Sequence, residues 1–284
     1  MKNHTMIEKL CKASEKDYSN PYQAILWPDS ISKEEWYMSP ELISIYGTET
    51  FEKMPEYEKK RLSFYEAVNF FSLNIHGEKA LIEGLAKRLY RRNSEASPYL
   101  HHFLDEENKH MVYFGTFCQK YAGKIYQDKK VTFSREFEKG EEDFLFFTKV
   151  LIFEEIVDIY NAKMAKDEKV SALARRINLL HHEDESRHLV FGRLAVKDLF
   201  DNYSSKWTSE TLNYVKNYVS DYFSATWSEY YNLEVYADAG IANASEIREK
   251  VLASDSARGH RKLISAHAIK FLIENKIIDK EPAL

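Results

Sequence analysis

The sequence predicts an all-α protein, a four-helix bundle with additional N- and C-terminal helices. Three observations predict it. Only 9 Gly and 6 Pro interrupt 284 residues, too few turn-formers for an all-β sandwich. Apolar residues recur at spacings of three and four over long stretches, and no stretch alternates convincingly with period two. The chain also repeats one arrangement of acids: a helix with one Glu on its apolar stripe, then a helix carrying Glu-x-x-His.

Composition removes several classes. With 44% hydrophobic and 30% charged residues the chain is neither disordered nor a membrane chain. Its apolar runs, such as 150–153, fall far short of the roughly 20 residues a spanning helix needs. Lys and Arg number 40 against 45 Asp and Glu, and a net charge of −5 gives no case for nucleic acid. Cys11 and Cys118 make neither a disulfide framework nor a zinc ribbon. The opening MKNHTMIEKL lacks the apolar core of a secretory signal, so a reducing cytoplasm is expected. The 19 Tyr fit either core and interface filling or an aromatic-lined pocket.

The elements follow in order. Residues 1–31, with Pro21 and Pro28, read as an irregular lead-in. Ser32 with Glu35 reads as a capping box, and Ser39-Pro40 as a second helix start, ended by Gly47. A long helix is predicted over about 56–92, with Phe71, Ile75, Glu78, Ile82, Leu85 and Leu89 on one stripe. The break at 93–98 offers Ser97 as cap and Pro98 as first helical residue. The next helix runs to about Ala122 and stops at Gly123. After a polar connection over 123–140 come helices at about 141–166 and, capped by Asp167, 168–200. Others are predicted near 209–234, 244–254 and 257–276. No composition shift marks a boundary. One domain over 1–284 is expected, with the bundle at about 62–200 and the C-terminal helices, about 209–276, covering it.

The acids and histidines carry the chemistry. Glu107 and His110 share a face with Leu100, Phe103, Met111 and Phe114. Glu185 and His188 lie on or beside the stripe of Leu180, His181, Phe191 and Leu194. Residues three apart on a helix project together, so each pair can reach one metal ion. Alone the motif is weak, because 31 Glu and 10 His give about one such pair by chance. The other acids add weight: Glu78 precedes Glu107 by 29 residues, and Glu154 precedes Glu185 by 31. Two such hairpins joined by a crossover match the ferritin-like carboxylate bundle, where one Glu from each of two helices joins Glu-x-x-His from the others. Buried carboxylates are costly unless paired or metal-bound, and two divalent ions would balance four of them. Oxygen and imidazole donors suit iron or manganese better than a closed zinc site.

Several neighbours compete. Glu83 shares a face with His76 and Lys87 and reads as solvated. Glu154 and Glu155 are not separated by periodicity. His101, His102 and His182 read as surface, His260 and His267 as structural. Glu106 and Asp184 each precede a candidate ligand and are either acceptors for a ligand histidine or surface acids. His181, one turn before Glu185, adds a seventh candidate.

The stretch from Phe153 to Arg193, with Glu154, Glu155, Asp167, His181, Glu185, Arg187, His188 and Phe191, resembles the p-aminobenzoate N-oxygenase family of diiron proteins. The resemblance covers about 62–200. It implies a metal site of Glu78, Glu107, His110, Glu154, His181, Glu185 and His188, and it favours Glu154 over Glu155 by position. The cofactor implied is two Fe ions, with Mn an alternative. The activity implied is that of an O2-dependent diiron oxygenase working through a peroxo-diferric intermediate, with N-oxygenation of an arylamine-like substrate. The partners implied are a small-molecule substrate, O2 and an electron donor, either a reductase or a ferredoxin; a homodimer stays open. Rivals are a diiron oxidase for a fatty or amino-acid-like substrate, an iron-storage bundle, and a ribonucleotide reductase small subunit. The last needs a radical Tyr one turn beyond the first Glu-x-x-His, where this chain has Phe114, with Tyr113 on another face.

Overall fold

In the computed structural model, residues 2–91, 95–127 and 135–284 are described. Parts of the predicted break at 93–98 and of the connection at 123–140 lie outside them. Four long helices form the bundle: α3 (Glu56–Ala86), α4 (Ser97–Phe117), α5 (Glu141–Lys166) and α6 (Ala172–Tyr203). α3 packs along α4 and α5 along α6, so the bundle is two hairpins facing each other. Around it stand α1 (Lys2–Lys16), α2 (Glu49–Lys53), α7 (Ser209–Tyr230), α8 (Leu233–Asp238), α9 (Ala244–Ala253) and α10 (Asp255–Glu274). α1 lies against α4 and α6, α7 against α5 and α3, and α10 against α5. No β-strand occurs among the described residues; the one isolated bridge joins Trp36 to Val170.

Two glycines set the spacing of α3 and α5. A Cβ on Gly77 would stand 2.6 Å from the Phe153 ring, and one on Gly84 would collide with Phe146. The glycines are seven residues apart, as are the phenylalanines, so the bare positions of α3 repeatedly meet rings of α5.

Several expectations are corrected. The lead-in is irregular only from residue 17 to 31: residues 2–16 are helical and bury Ile7 and Leu10 on the bundle. Ser32 and Glu35 close a turn, with the Glu34 amide donating to Ser32 Oγ, and start no helix. α3 ends at Ala86, and Tyr90 follows at φ 53°. Ser97 does not cap α4; its hydroxyl accepts from the Tyr90 amide. α4 runs on into a π-helical turn, Cys118–Ala122, before Gly123 turns left-handed at φ 68°. Asp167 ends α5, and Ser171 caps α6 by accepting from the Ala174 amide. The helix predicted at 209–234 is two, because Asn232 starts α8 by accepting from the Glu234 amide. His267 is exposed and holds nothing together.

Candidate metal centre

The seven predicted residues meet inside the bundle. Glu78 comes from α3, Glu107 and His110 from α4, Glu154 from α5, and His181, Glu185 and His188 from α6. None is more than 4% exposed. Large apolar neighbours hold them there: Phe103 stacks on His188, and Phe114 meets His181 edge-on with ring centres 5.0 Å apart.

The donors sort into overlapping groups, each with donor atoms within 4.8 Å of one another: Glu78, His110 and His181; Glu107, Glu154 and His188; Glu107, His110 and Glu185. Glu107 therefore stands between two centres. Glu185 does too, with Oε1 2.8 Å from His181 Nε2, 3.3 Å from His188 Nδ1 and 3.9 Å from His110 Nδ1. One position is offered two imidazoles and the other one, so two bound ions would be unlike.

The donor set fits such a pair. Glu154 Oε2 and Glu185 Oε2 are buried without a hydrogen bond, while Glu107 Oε1 lies 3.0 Å from His188 Nδ1. Two orphaned carboxylate oxygens in one core are costly unless a cation receives them. Four carboxylates balance two divalent ions, and carboxylate with imidazole suits iron or manganese.

An outer layer fixes the histidines. Asp184 Oδ2 is 3.1 Å from His110 Nε2, and Glu106 Oε2 is 2.9 Å from His188 Nε2. Both histidines thus keep Nδ1 turned to the centre. Arg187 donates to Glu106 from Nε at 3.1 Å and Nη2 at 2.7 Å, and Nη2 also reaches Asp184. Lys109 Nζ lies 3.2 Å from Asp184. Two acids and two cations make this layer neutral. His181 is turned the other way, with Nε2 inward and Nδ1 2.6 Å from the Asn161 side-chain nitrogen. Asn161 Oδ1 has no partner. An ion on Nε2 leaves a proton on Nδ1, and turning the Asn161 amide over supplies its acceptor.

Charge follows the same geometry. In the metal-free protein, burial would lower the His110 pKa, but hydrogen bonds to Asp184 and Glu107 push it up to about 9. Burial is also outweighed at His188, which the charges of Glu107 and Glu185 hold well above the ordinary value. Burial and the charge of His110 push His181 down. Burial and the charge of Glu185 push Glu154 well up. Protonated histidines thus take the place of metal charge.

A cavity of about 860 Å³ opens beside the centre between α3, α5 and α7, and Glu78, Glu154 and His181 are part of its wall. Leu73, Leu81, Val150 and Phe153 make much of it apolar, with Lys149 and Arg248 among its polar residues.

The competing residues lie elsewhere. Glu155 pairs with Arg193, and Glu83 with Lys87 at 2.6 Å. His76 is not simply solvated, as its Nε2 lies 2.8 Å from the Tyr126 carbonyl. His101 is exposed, His102 and His182 are half-buried, and His182 pairs with Asp158. His260 sits 3.3 Å from the Tyr160 hydroxyl. Tyr113 points away from the metals to Ser19 Oγ, at 3.2 Å. Sequence reasoning missed Lys109 and Asn161, and gave Arg187 no role of its own. Neutral amides carry no ligand spacing; their one signal is an Asn on a helix face that is otherwise buried.

Fold and site together define a ferritin-like carboxylate bundle built for two metal ions. The family described as p-aminobenzoate N-oxygenase AurF matches residues 1–275, and the chain belongs to it. It is therefore an O2-dependent oxidoreductase. Solved structures similar to it are R2-like ligand-binding oxidases. One variant with an anaerobically reconstituted Mn/Fe cofactor is 15% identical, covering 96% of this chain and 92% of that one, with a TM-score of 0.52. A second such variant is 14% identical over 91% and 92%, with a TM-score of 0.51. The oxidase from Sulfolobus acidocaldarius is 16% identical over 98% and 92%, with a TM-score of 0.43. The two variants, with TM-scores above 0.5, speak for the fold alone. No curated protein matches the sequence.

Proposed function

We propose that this protein is a non-haem diiron oxygenase that N-oxygenates an amine. One observation carries the proposal: a cluster of buried carboxylates and imidazoles in overlapping groups puts Glu78, Glu154 and His181 into the wall of a cavity large enough for a substrate. Glu78, His110 and His181 would hold one iron, Glu154 and His188 the other, and Glu107 and Glu185 would lie between them. Manganese could replace iron in one position, given the Mn/Fe cofactor named for a similar fold. The metal pair would supply the two-electron chemistry of O2 reduction. The reaction would be R–NH2 + O2 + 2 e⁻ + 2 H⁺ → R–NHOH + H2O, with the electrons from a reductase or ferredoxin. The protein's share is to keep the donors deprotonated, to hold the histidines through Asp184, Glu106 and Asn161, and to line a largely apolar approach. The cavity speaks against simple storage, which needs an ion path and not an organic-sized pocket.

The test is iron-reconstituted protein with O2, a chemical reductant and an arylamine. A product heavier by one oxygen, labelled from ¹⁸O2, supports the reading. Oxygen uptake with growth of an iron mineral and no organic product overturns it. We place the protein in the cytoplasm on its free Cys11 and Cys118. Among the described residues no helix is long and apolar enough to cross a membrane.

A further inference from the structure

We infer that the protein carries a second binding site, a small aromatic cavity around Glu66 that takes a small primary ammonium ion. The cavity, of about 40 Å³, lies between α3, α5, α7, α10 and residues 38–46. Glu66 stands in its wall with Phe70, Tyr160, Trp227, Tyr230 and Tyr231. On α3 it precedes Glu78 by 12 residues, about 18 Å along the axis, so the site is separate from the metal centre.

The charge balance of the core singles out Glu66. Every other buried acid among the described residues has a cation or belongs to the metal centre. Glu106 has Arg187, Glu155 has Arg193, Asp184 has Lys109, and Glu141 has Arg135 at 2.8 Å. Glu78, Glu107, Glu154 and Glu185 face the metal positions. Glu66 forms no ion pair. Its Oε1 accepts from the Ser44 amide at 3.3 Å and from the Ser44 hydroxyl, which also meets Tyr236 Oη at 2.7 Å. Its Oε2 accepts no hydrogen bond and yet is not sealed: Glu66 keeps 4% of its surface accessible, and it lines the cavity. Burial, against the Ser44 hydrogen bonds, pushes its carboxyl up to about 7, as expected for an acid with no cation beside it.

The neighbouring bases leave the place open. Arg261 donates to Tyr231 Oη and to the Leu252 carbonyl, each at 3.0 Å. His260 meets the Tyr160 hydroxyl, and burial with the charges of Lys163 and Arg261 pushes it down to about 4, so it is neutral. Lys163 pairs with Glu41, a partly exposed acid of the wall, at 3.3 Å. Water in the cavity would satisfy Oε2 but leave the charge uncompensated. A calcium or magnesium ion needs about six oxygens, and most of this wall is rings. Aromatic faces attract organic ammonium ions, and the N–H of such an ion supplies the donor that Oε2 lacks. About 40 Å³ holds roughly three water-sized groups at about 10–15 Å³ each. That room admits methylammonium and excludes tetramethylammonium.

The test is thermal melting and calorimetric titration of the full chain with methylammonium chloride, above pH 7 where Glu66 is charged. Sodium chloride and tetramethylammonium chloride at matched ionic strength are the references. Methylammonium should raise the melting temperature in a saturating way, and the references should not. Glu66→Gln, equal in size and still able to accept from Ser44, should weaken methylammonium binding by roughly tenfold or more, the scale of a hydrogen bond to a charged group. Iron content should stay that of the parent. Glu66→Asp keeps the charge on a shorter stem and should retain part of the affinity, which guards against a Gln variant that fails to fold. Glu41→Gln removes the partly exposed acid and should change binding far less. Equal effects of methylammonium and tetramethylammonium, or of Glu66→Gln and Glu41→Gln, would show general ionic attraction and overturn the inference. So would a methylammonium response no larger than that of sodium chloride, which leaves the cavity to water. None of these outcomes depends on the reading of the metal centre.

Discussion

Arg187 grips Glu106 through two donors, at 3.1 Å and 2.7 Å, in the core of the bundle. The same guanidinium reaches Asp184, so one side chain ties together the acids that orient His110 and His188. Both candidate metal positions therefore share a single outer support.

Removing that support should cost both stability and metal. Arg187→Met leaves two buried acids short of a cation, and breaking a buried pair of this kind costs about 3–5 kcal/mol. The expected outcome is a clearly lower melting temperature and partial iron loading. Adding Glu106→Gln to Arg187→Met should recover part of the melting temperature, since one uncompensated charge disappears. Equal melting of the parent and Arg187→Met would show that the acids find another partner.

Metal removal should matter more as pH rises. In the metal-free protein His110, lifted from 6.5 to about 9 by Asp184 and Glu107 against its burial, favours the fold while it stays protonated. That contribution is full below about 6.5 and is lost as pH climbs through about 9. Glu154, raised by burial and by Glu185, acts in the same direction. Metal binding runs the other way, because ions need deprotonated imidazoles and displace protons. The gap in melting temperature between iron-loaded and metal-free protein should widen from pH 6 to pH 9. A gap that stays constant would mean these histidines and carboxylates do not form a shared metal site.

Where the sequence was legible, periodicity and spacing coincided. Glu78, Glu107 and Glu185 sat on apolar stripes at helical spacing from other candidates, and the bundle brings them together. Glu154 separated from Glu155 by position in the family resemblance; in the fold Glu155 turns to Arg193. The first helix was hidden because its apolar residues, Ile7 and Leu10, are few among Lys and Glu, and tertiary contact with α4 and α6 decides it. Ser32 with Glu35 had the letters of a capping box, but no helix follows to be capped. Asn161 was invisible for a different reason. Its role depends on which amide end faces His181 across the bundle, and no spacing along the chain encodes that.

His181 and Asn161 give a graded prediction. His181→Ala removes one imidazole from a position that still has Glu78, His110 and the two shared carboxylates, so iron content should fall only modestly. Glu107→Ala takes a carboxylate from both positions and should abolish loading of at least one. Asn161→Leu leaves His181 in place but removes the acceptor for its Nδ1 proton, so its loss of metal affinity should not exceed that of His181→Ala, with roughly 10–100-fold the usual scale for such outer partners. Chelator competition on the three variants checks the order. An Asn161→Leu affinity equal to that of the parent would remove the amide from the metal site.

The last prediction concerns the cavity wall. Gly77 precedes Glu78 and has no side chain, so the Phe153 ring rests against the α3 backbone. A methyl group there would lie 2.6 Å from that ring, well inside contact distance. In Gly77→Ala the ring must move, and Phe153 already forms part of the cavity wall beside Glu154. Its displacement should narrow the approach to the metals. Overpacking of this kind costs about 1–3 kcal/mol, so the variant should fold with a reduced melting temperature and retain iron. Binding of 4-pentylaniline should weaken by more than the binding of aniline itself, because the longer molecule needs the space the ring now takes. Gly77→Ala combined with Phe153→Leu should restore much of the difference by shrinking the displaced group. Calorimetric titration of both amines into the three proteins decides it: equal losses for the long and the short amine would mean that Phe153 does not bound the substrate channel.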